Sequence, residues 1–506
     1  MKTGAALLAL LAVALAVLVA PGSGSAASPF DELRIGKKAL EFLHQQMQPG
    51  GDVRRQLGHF YYAANAETRK AAWAWSGSGA WPAYAACQRA ATRADLDVPC
   101  LALVADGVVV ARSYDEARSR AGDDAWERTM WNDPLRCGQE PGSRFYWLEH
   151  GYCDVNHHGS ERALGVIIWN HGIAGTMVQH AAPPAMALRL AQARGWDVIK
   201  INRHHLGEDA RSYERGEERT LQEVQAQRAR GYRKIVVAGQ SFGGRVALEI
   251  GTRAENVFAL VAMAPGMETT VGNSRNQAPT DERLRRSKVE RLAVVFPGGD
   301  ALFGNVQRGR SAAPILTARG RPWLMFDETA GLAGHGGGAG GNFALRYGLC
   351  LAEFLSAAHV PEGRFECPPA SDWSVAKQFL PAVPPSVRVV SAGDRVPAPV
   401  ARSAGRWYGV LGETIVSWAL VEADGGELNA VYTWATANSR GGGVYAARVE
   451  GHGVRTTLPN QATLTVAPTA AGSLDMTLAP AIGPSNFSIY AGSNEPLRGE
   501  LRPVPE

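Results

Sequence analysis

The segment that most restricts what this chain can fold into is Ile235-Val236-Val237-Ala238-Gly239-Gln240-Ser241-Phe242-Gly243-Gly244, followed by Arg245-Val246-Ala247-Leu248-Glu249-Ile250. A β-branched run meets Gly-x-Ser-x-Gly, and a helical pattern starts at once. A strand that turns this sharply into a helix puts its central residue in a strained backbone conformation, so Gly239 and Gly243 have to be small. The turn lifts Ser241 Oγ clear of the strand end and points the following N–H groups at whatever is bonded to it. The plain alternative is an idle serine in a glycine-rich strand-to-helix turn.

A serine hydroxyl becomes a nucleophile only when a histidine takes its proton, and that histidine needs a carboxylate to fix its tautomer. Both partners lie downstream. Arg291-Leu-Ala-Val-Val-Phe296 reads as a buried strand and ends in Pro297-Gly298-Gly299-Asp300. Arg321-Pro-Trp-Leu-Met-Phe326 reads as the next strand, and its loop holds Gly334-His335-Gly336-Gly337-Gly338. The order Ser241, Asp300, His335 is that of the α/β-hydrolase triad, and over roughly residues 160–360 the chain resembles the α/β-hydrolase superfamily. That resemblance implies Ser241 as nucleophile, His335 as base and Asp300 as the group that orients it. Upstream, Leu164-Gly-Val-Ile-Ile-Trp169 leads into Asn170-His171-Gly172-Ile173-Ala174-Gly175. In the resembled family the residue after such a His-Gly pair gives one oxyanion-hole N–H, here Ile173. The residue after the nucleophile, Phe242, gives the other. His171 itself reads as structural. The dienelactone-hydrolase-like branch is the nearest, although those enzymes often carry Cys where this chain has Ser241.

Each role has rivals. Glu268 follows the apolar strand 257–264, and a minority of these enzymes place their acid there. Asp327 and Glu328 share a loop with His335, where a carboxylate rarely reaches behind the ring. His204-His205 follow the strand 196–202 and read as loop histidines. No HExxH or Cys-x-x-Cys spacing points to a metal, and no cofactor is expected.

The chain has 506 residues and is 45% hydrophobic, enough for about three domains with real cores. Residues 1–27 read as a signal peptide, with an uncleaved anchor as the alternative: Lys2 is the positive start, Ala5–Ala20 is short for a membrane span, and Ser25-Ala26-Ala27 offers small residues for cleavage. No later apolar run is long enough to span a bilayer, so no integral membrane segment is expected after cleavage. A net charge of +4 over this length gives no footing for nucleic acid. The cysteine count is six, even, as suits an oxidising compartment. Short loops favour Cys87–Cys100, Cys137–Cys153 and Cys350–Cys367.

Composition divides the remainder. Residues 28–155 form an N-terminal α+β region: 83–91 looks helical, and 101–105 and 108–111 look like strands around an Asp106-Gly107 turn. Trp73, Trp75 and Trp81 there are either an aromatic platform or core. Residues 156–380 alternate buried runs with helical stretches, which means a doubly wound, mostly parallel sheet. The interval between the strands ending at 264 and starting near 291 is short for a lid, so an open site is expected. A Pro-rich stretch at 381–402 reads as a linker across which few contacts pass. Residues 403–506 read as a β-sandwich or barrel, with Trp407, Trp418, Tyr432 and Trp434 as candidates for polymer binding or for inter-sheet packing.

Together these features describe a secreted serine hydrolase acting on a small or medium carboxylic ester. An amidase or peptidase with the same triad, or a non-catalytic binder on a hydrolase scaffold, are the alternatives.

Overall fold

The computed structural model describes residues 30–505 apart from 47–58, 77–79, 97, 99, 106–107, 122–127, 131–137, 141–145, 151–157, 173–182, 202–209, 254, 267–272, 301, 303–306, 384–386, 391–397, 423–427, 438, 459–460 and 480–495. The leader expected at 1–27, Cys137 and Cys153 with their expected pairing, His204, His205 and Glu268 therefore lie outside the described residues. The chain separates into two compact units, Met1–Asp123 and Asp124–Glu506.

The first unit holds helix α1 (Lys37–Gln46), strands β1 (His59–Asn65) and β2 (Lys70–Ser76), helix α2 (Ala80–Arg93), strands β3 (Leu101–Ala105) and β4 (Val108–Val109), and helix α3 (Tyr114–Ala121). Its sheet has the order β2-β1-β3-β4, and β3 and β4 pair antiparallel; the turn expected at 106–107 lies outside the described residues. Cys87 on α2 is bonded to Cys100 just before β3, and both are buried. The half-buried Trp73 ring packs against Phe42 and Phe60.

The second unit is built on an eight-stranded sheet. Short β5 (Arg128–Met130), β6 (Gly138–Glu140) and β7 (Tyr146–His150) precede its main strands. Then come β8 (Gly165–Asn170), α4 (Ala187–Ala193), β9 (Trp196–Ile201), α5 (Ala210–Ala229), β10 (Ile235–Gln240), α6 (Phe242–Arg253) and β11 (Ala259–Met263). Next are α7 (Asn273–Arg286), β12 (Arg291–Val295), α8 (Arg308–Ala318), β13 (Pro322–Phe326), α9 (Gly341–Ser356), β14 (Gly363–Arg364) and α10 (Trp373–Phe379). The strand order is β14-β13-β12-β11-β10-β8-β9-β5; every pairing is parallel except the edge pair of β5 with β9.

The buried strands are apolar almost throughout because both faces are covered. Ile167, Trp169, Val236 and Ala238 face α4, α9 and α10, whereas Val166, Ile168, Ile235 and Val237 face α5, α6, α7 and α8. This is the doubly wound arrangement read from the sequence. Three helices were not legible in it: α7 and α8 are rich in Arg with a proline inside each, and α10 is short. Cys350 on α9 is bonded to Cys367. Strand β5 extends the main sheet, and β6 and β7 pair onto the C-terminal sheet, within a stretch that the sequence reading carried in the N-terminal region.

The C-terminal strands are β15 (Arg406–Leu411), β16 (Thr414–Glu422), β17 (Leu428–Ala435), β18 (Ser439–Glu450), β19 (Gly453–Thr457), β20 (Thr463–Pro468), β21 (Leu474–Ala479) and β22 (Leu497–Pro503). Consecutive neighbours are antiparallel, and β17 pairs with β18 to close an eight-stranded barrel, which removes free sheet edges. Trp407, Trp418 and Tyr432 lie buried in its core and form no open stacking face.

The few contacts expected across the 381–402 stretch are not what the structure has. Tyr408, Ile415 and Ala435 of the barrel belong to the same apolar cluster as α4, α9 and α10. The Tyr408 hydroxyl donates to the Ser371 carbonyl at 3.0 Å, and its ring packs on Trp373. The proline-rich composition shows where regular elements stop; it carries no information on what the next element packs against.

Candidate active site

Strand β10 ends at Gln240 and α6 begins at Phe242, so Ser241 alone makes the turn. Its φ is +57°, in the left-handed region that a non-glycine residue enters at a cost of roughly 1–2 kcal/mol. Three backbone bonds hold it there. Ser241 N–H donates to Met263 O at 2.9 Å, and Ser241 O accepts from Arg245 N–H at 3.0 Å and Gly266 N–H at 3.1 Å. The flanking glycines are required by contact. A Cβ on Gly239 would lie 2.8 Å from Asn170 O, and one on Gly243 would lie 2.8 Å from His171 O, each with still closer backbone atoms. At both glycine positions of the Gly-x-Ser-x-Gly segment a side chain would therefore meet backbone atoms. Ser241 is 4% exposed, a more enclosed position than the open site the sequence suggested.

The loop after β12 turns through Gly299, whose φ is +64°, and delivers Asp300. The loop after β13 delivers His335. Both carboxylate oxygens of Asp300 lie 3.0 Å from His335 Nδ1. The carboxylate side chain is 1% exposed and the imidazole 18%. An acceptor on Nδ1 keeps the proton on that nitrogen and leaves Nε2 able to accept another. The two loops are stitched together: Gly334 N–H donates to Gly298 O and Gly298 N–H to Leu332 O, each at 2.8 Å. Asp300 Oδ1 also accepts from Leu302 N–H at 3.0 Å. The rival Asp327 is engaged elsewhere, capping the short turn at 328–330 by accepting from the backbone and hydroxyl of Thr329.

Two contributors escaped the sequence reading. Gln240 Nε2 donates to the His335 carbonyl at 3.0 Å, tying the loop that carries His335 to the residue before Ser241. Its place beside the serine was visible, but nothing in the sequence said where its amide would reach. Arg308, at the start of α8, is 1% exposed. It donates to Pro265 O at 2.8 Å, Thr280 Oγ1 at 3.1 Å and Gln277 Oε1 at 3.1 Å, and its guanidinium lies over Phe296. Burial pulls its pKa down to about 10, while the negative charges of Asp300 and Asp281 act to raise it. A buried cation thus lies within electrostatic reach of the carboxylate that meets His335. No sequence motif marks it.

Of the two expected oxyanion donors, Phe242 is the first residue of α6, at the positive end of the helix. Ile173 lies outside the described residues. His171 is buried, with Nδ1–H donating to Gly172 O at 2.8 Å, a structural role as read from the sequence. Asn170 Oδ1 accepts from the Thr220 hydroxyl at 3.1 Å, which pins the end of β8 beside the elbow. Among the described residues no group of three or more His, Cys, Asp or Glu side chains could hold a metal ion.

A doubly wound, mostly parallel sheet with a serine elbow after a central strand, and loops bearing a carboxylate and then a histidine after later strands, is the α/β-hydrolase fold. No family model matches the chain, and no curated protein matches it. Similar solved structures include an esterase of Pyrococcus furiosus (13% identity, 46% of this chain and 92% of that one, TM-score 0.30). An acylaminoacyl peptidase of Pyrococcus horikoshii is similar at 12% identity, over 48% of this chain and 43% of that one, with a TM-score of 0.27. A 2,6-dihydroxy-pseudo-oxynicotine hydrolase is similar at 14% identity, over 47% and 73%, with a TM-score of 0.30. Likenesses this distant add nothing to the assignment of the fold, which rests on the strand order and loop positions above.

Proposed function

We propose that the chain is a serine hydrolase that cleaves carboxylic esters through an acyl-enzyme. The observation that carries this reading is the Asp300–His335 pair, bonded at Nδ1 and tied through the His335 carbonyl to Gln240, the residue preceding the strained Ser241. In the first step Ser241 Oγ bonds to the ester carbonyl carbon while His335 Nε2 takes the hydroxyl proton. The carbonyl oxygen becomes an oxyanion held by the Phe242 N–H and, from the resemblance, the Ile173 N–H. The C–O bond to the alcohol then breaks, and His335 returns its proton to the leaving oxygen. Water attacks the acyl group by the same route in reverse, giving the acid and free Ser241. Asp300 stays ionised and stabilises the imidazolium.

Two disulfides, Cys87–Cys100 and Cys350–Cys367, suit an oxidising space, and no described helix is long and apolar enough to cross a membrane. The disulfides and the apolar leader-like start support export to the periplasm or the exterior. The test is labelling of the purified protein with a fluorophosphonate probe, alongside hydrolysis of p-nitrophenyl esters of increasing chain length. Ser241→Ala is expected to abolish labelling and lower kcat by on the order of 10⁴ or more. Parental ester hydrolysis by that variant would remove the nucleophile and with it the proposal.

A further inference from the structure

The loop from Gly334 to Gly341 carries His335 but has almost no side chains of its own. Besides His335 it holds six glycines at 334, 336–338 and 340–341 and one alanine. Such a segment has the largest backbone freedom of any sequence, so its position has to be imposed from outside. Part of the restraint comes from the hydrolase: Gln240 holds the His335 carbonyl, and Ala339 O accepts from Met186 N–H at 3.0 Å. The rest comes from the barrel. The hairpin between β15 and β16 turns at Gly412, whose φ is +59°, and Glu413. Gly341 N–H donates to the Glu413 carbonyl at 2.8 Å, and the Asn342 N–H bonds the Glu413 side chain.

The fit at this tip is close. A Cβ on Gly340 would fall 2.7 Å from the Glu413 Cβ and closer still to Oε2, and one on Gly341 would fall 2.8 Å from Glu413 O and Ile415 Cγ1. Ile415 has no exposed surface and lies in the hydrolase's own apolar cluster. Glu413 Oε2 is shut off from solvent, and no hydrogen-bond donor reaches it.

We propose that the barrel supplies a positioning residue to the active site: Glu413 seats the glycine loop and α9's first turn, and through them holds the imidazole of His335. The proposal rests on the reading of His335 as the base. Burial pushes the Glu413 carboxyl up to about 8, with the Asn342 N–H acting the other way. Glu413 is therefore mostly uncharged at neutral pH and sits without an ion-pair partner. The ionisable groups on the elements packed around it are His335 on the loop, Arg346, Tyr347 and Glu353 on α9, Asp372 and Lys377 at α10, Arg406, Tyr408 and Glu422 on its own strands, and Tyr432, Arg498, Glu500 and Arg502 on the paired β17 and β22. None of these contributes to its shift. The sign follows from the raised value. Relative to the unfolded chain, the fold loses stability at this residue as pH rises from the ordinary carboxylate range to about 8, and the loss is complete above that. Ionisation in place puts an unsolvated charge against the loop, which then has to shift.

The experiment is performed on the full chain, with kcat and KM for p-nitrophenyl acetate measured from pH 6 to 10 and folding followed by circular dichroism. Glu413→Ala is expected to lower kcat roughly 10- to 100-fold at pH 7 with KM little changed, since misplacement of a catalytic group by about 1 Å costs that much. Glu413→Gln, which keeps the shape and cannot ionise, is expected to recover most of that loss and to lack the fall in kcat near pH 8 that the parent shows. Equal alkaline limbs in parent and Glu413→Gln, or a folded Glu413→Ala with parental kcat, would overturn the proposal. His335→Ala is the separate control on the base: if it keeps parental kcat, the reading of His335 fails and the proposal falls with it, whatever Glu413 does.

Discussion

Replacing Gly243 by alanine probes whether the elbow is set by the close approach of two backbones. A Cβ there would lie 2.5 Å from the Asn170 carbonyl carbon and 2.8 Å from His171 O, and closer still to Asn170 O. These are backbone atoms at the end of β8, so no rotamer change relieves the clash. Overpacking against rigid atoms costs up to about 3 kcal/mol, and the better helix propensity of alanine in α6 returns only about 1 kcal/mol. The net is a loss of about 2 kcal/mol. In a large unit each kcal/mol is worth about 2 °C, so Tm should fall by about 4 °C. The rate should suffer more, because the elbow and the end of β8 have to separate by roughly 1 Å, and a displacement of that size at the chemistry costs on the order of 10²-fold in kcat. Gly244→Ala is the control. Its nearest neighbours are Met263 O at 3.0 Å and Pro265 Cα at 3.2 Å, so a small adjustment is offset by the helix gain. Thermal unfolding by circular dichroism and p-nitrophenyl ester kinetics read both variants. Parental Tm and kcat for Gly243→Ala, or a larger effect from Gly244→Ala, would refute the steric reasoning.

Three further outcomes are expected. Arg308→Met leaves the Pro265 carbonyl, Gln277 and Thr280 short of a donor and should cost about 3 kcal/mol in urea unfolding; an unchanged midpoint would show that those acceptors find other partners. A chain ending at residue 380 uncovers the apolar surface under Tyr408, Ile415 and Ala435 and should aggregate or lose ester hydrolysis, whereas a stable monomer with parental kcat on gel filtration would make the barrel dispensable. Mild reduction followed by alkylation and mass spectrometry should label the partly exposed Cys350 and Cys367 before the buried Cys87 and Cys100, and the opposite order would contradict the burial pattern.

What the sequence by itself determined about this protein is local or periodic. The β-branched run, the small residues around Ser241 and the helix behind it make the elbow because the turn is steric and spans five residues. The alternation of buried runs with helices fixed a doubly wound sheet, since only strands covered on both faces are apolar throughout. The ends of β12 and β13 marked Asp300 and His335, because a loop leaving the carboxyl end of a parallel strand opens on the same rim as its neighbours. Short cysteine separations anticipated Cys87–Cys100 and Cys350–Cys367. What only the tertiary structure decided are the long-range insertions. Arg308 and Glu413 belong to no motif or period in the sequence; the fold buries Arg308 and Oε2 of Glu413. The barrel was legible as β structure, but not that its Ile415 completes the hydrolase core. A side chain's partner across the chain leaves no period and no spacing in the sequence, because it depends on where two separately folded surfaces meet.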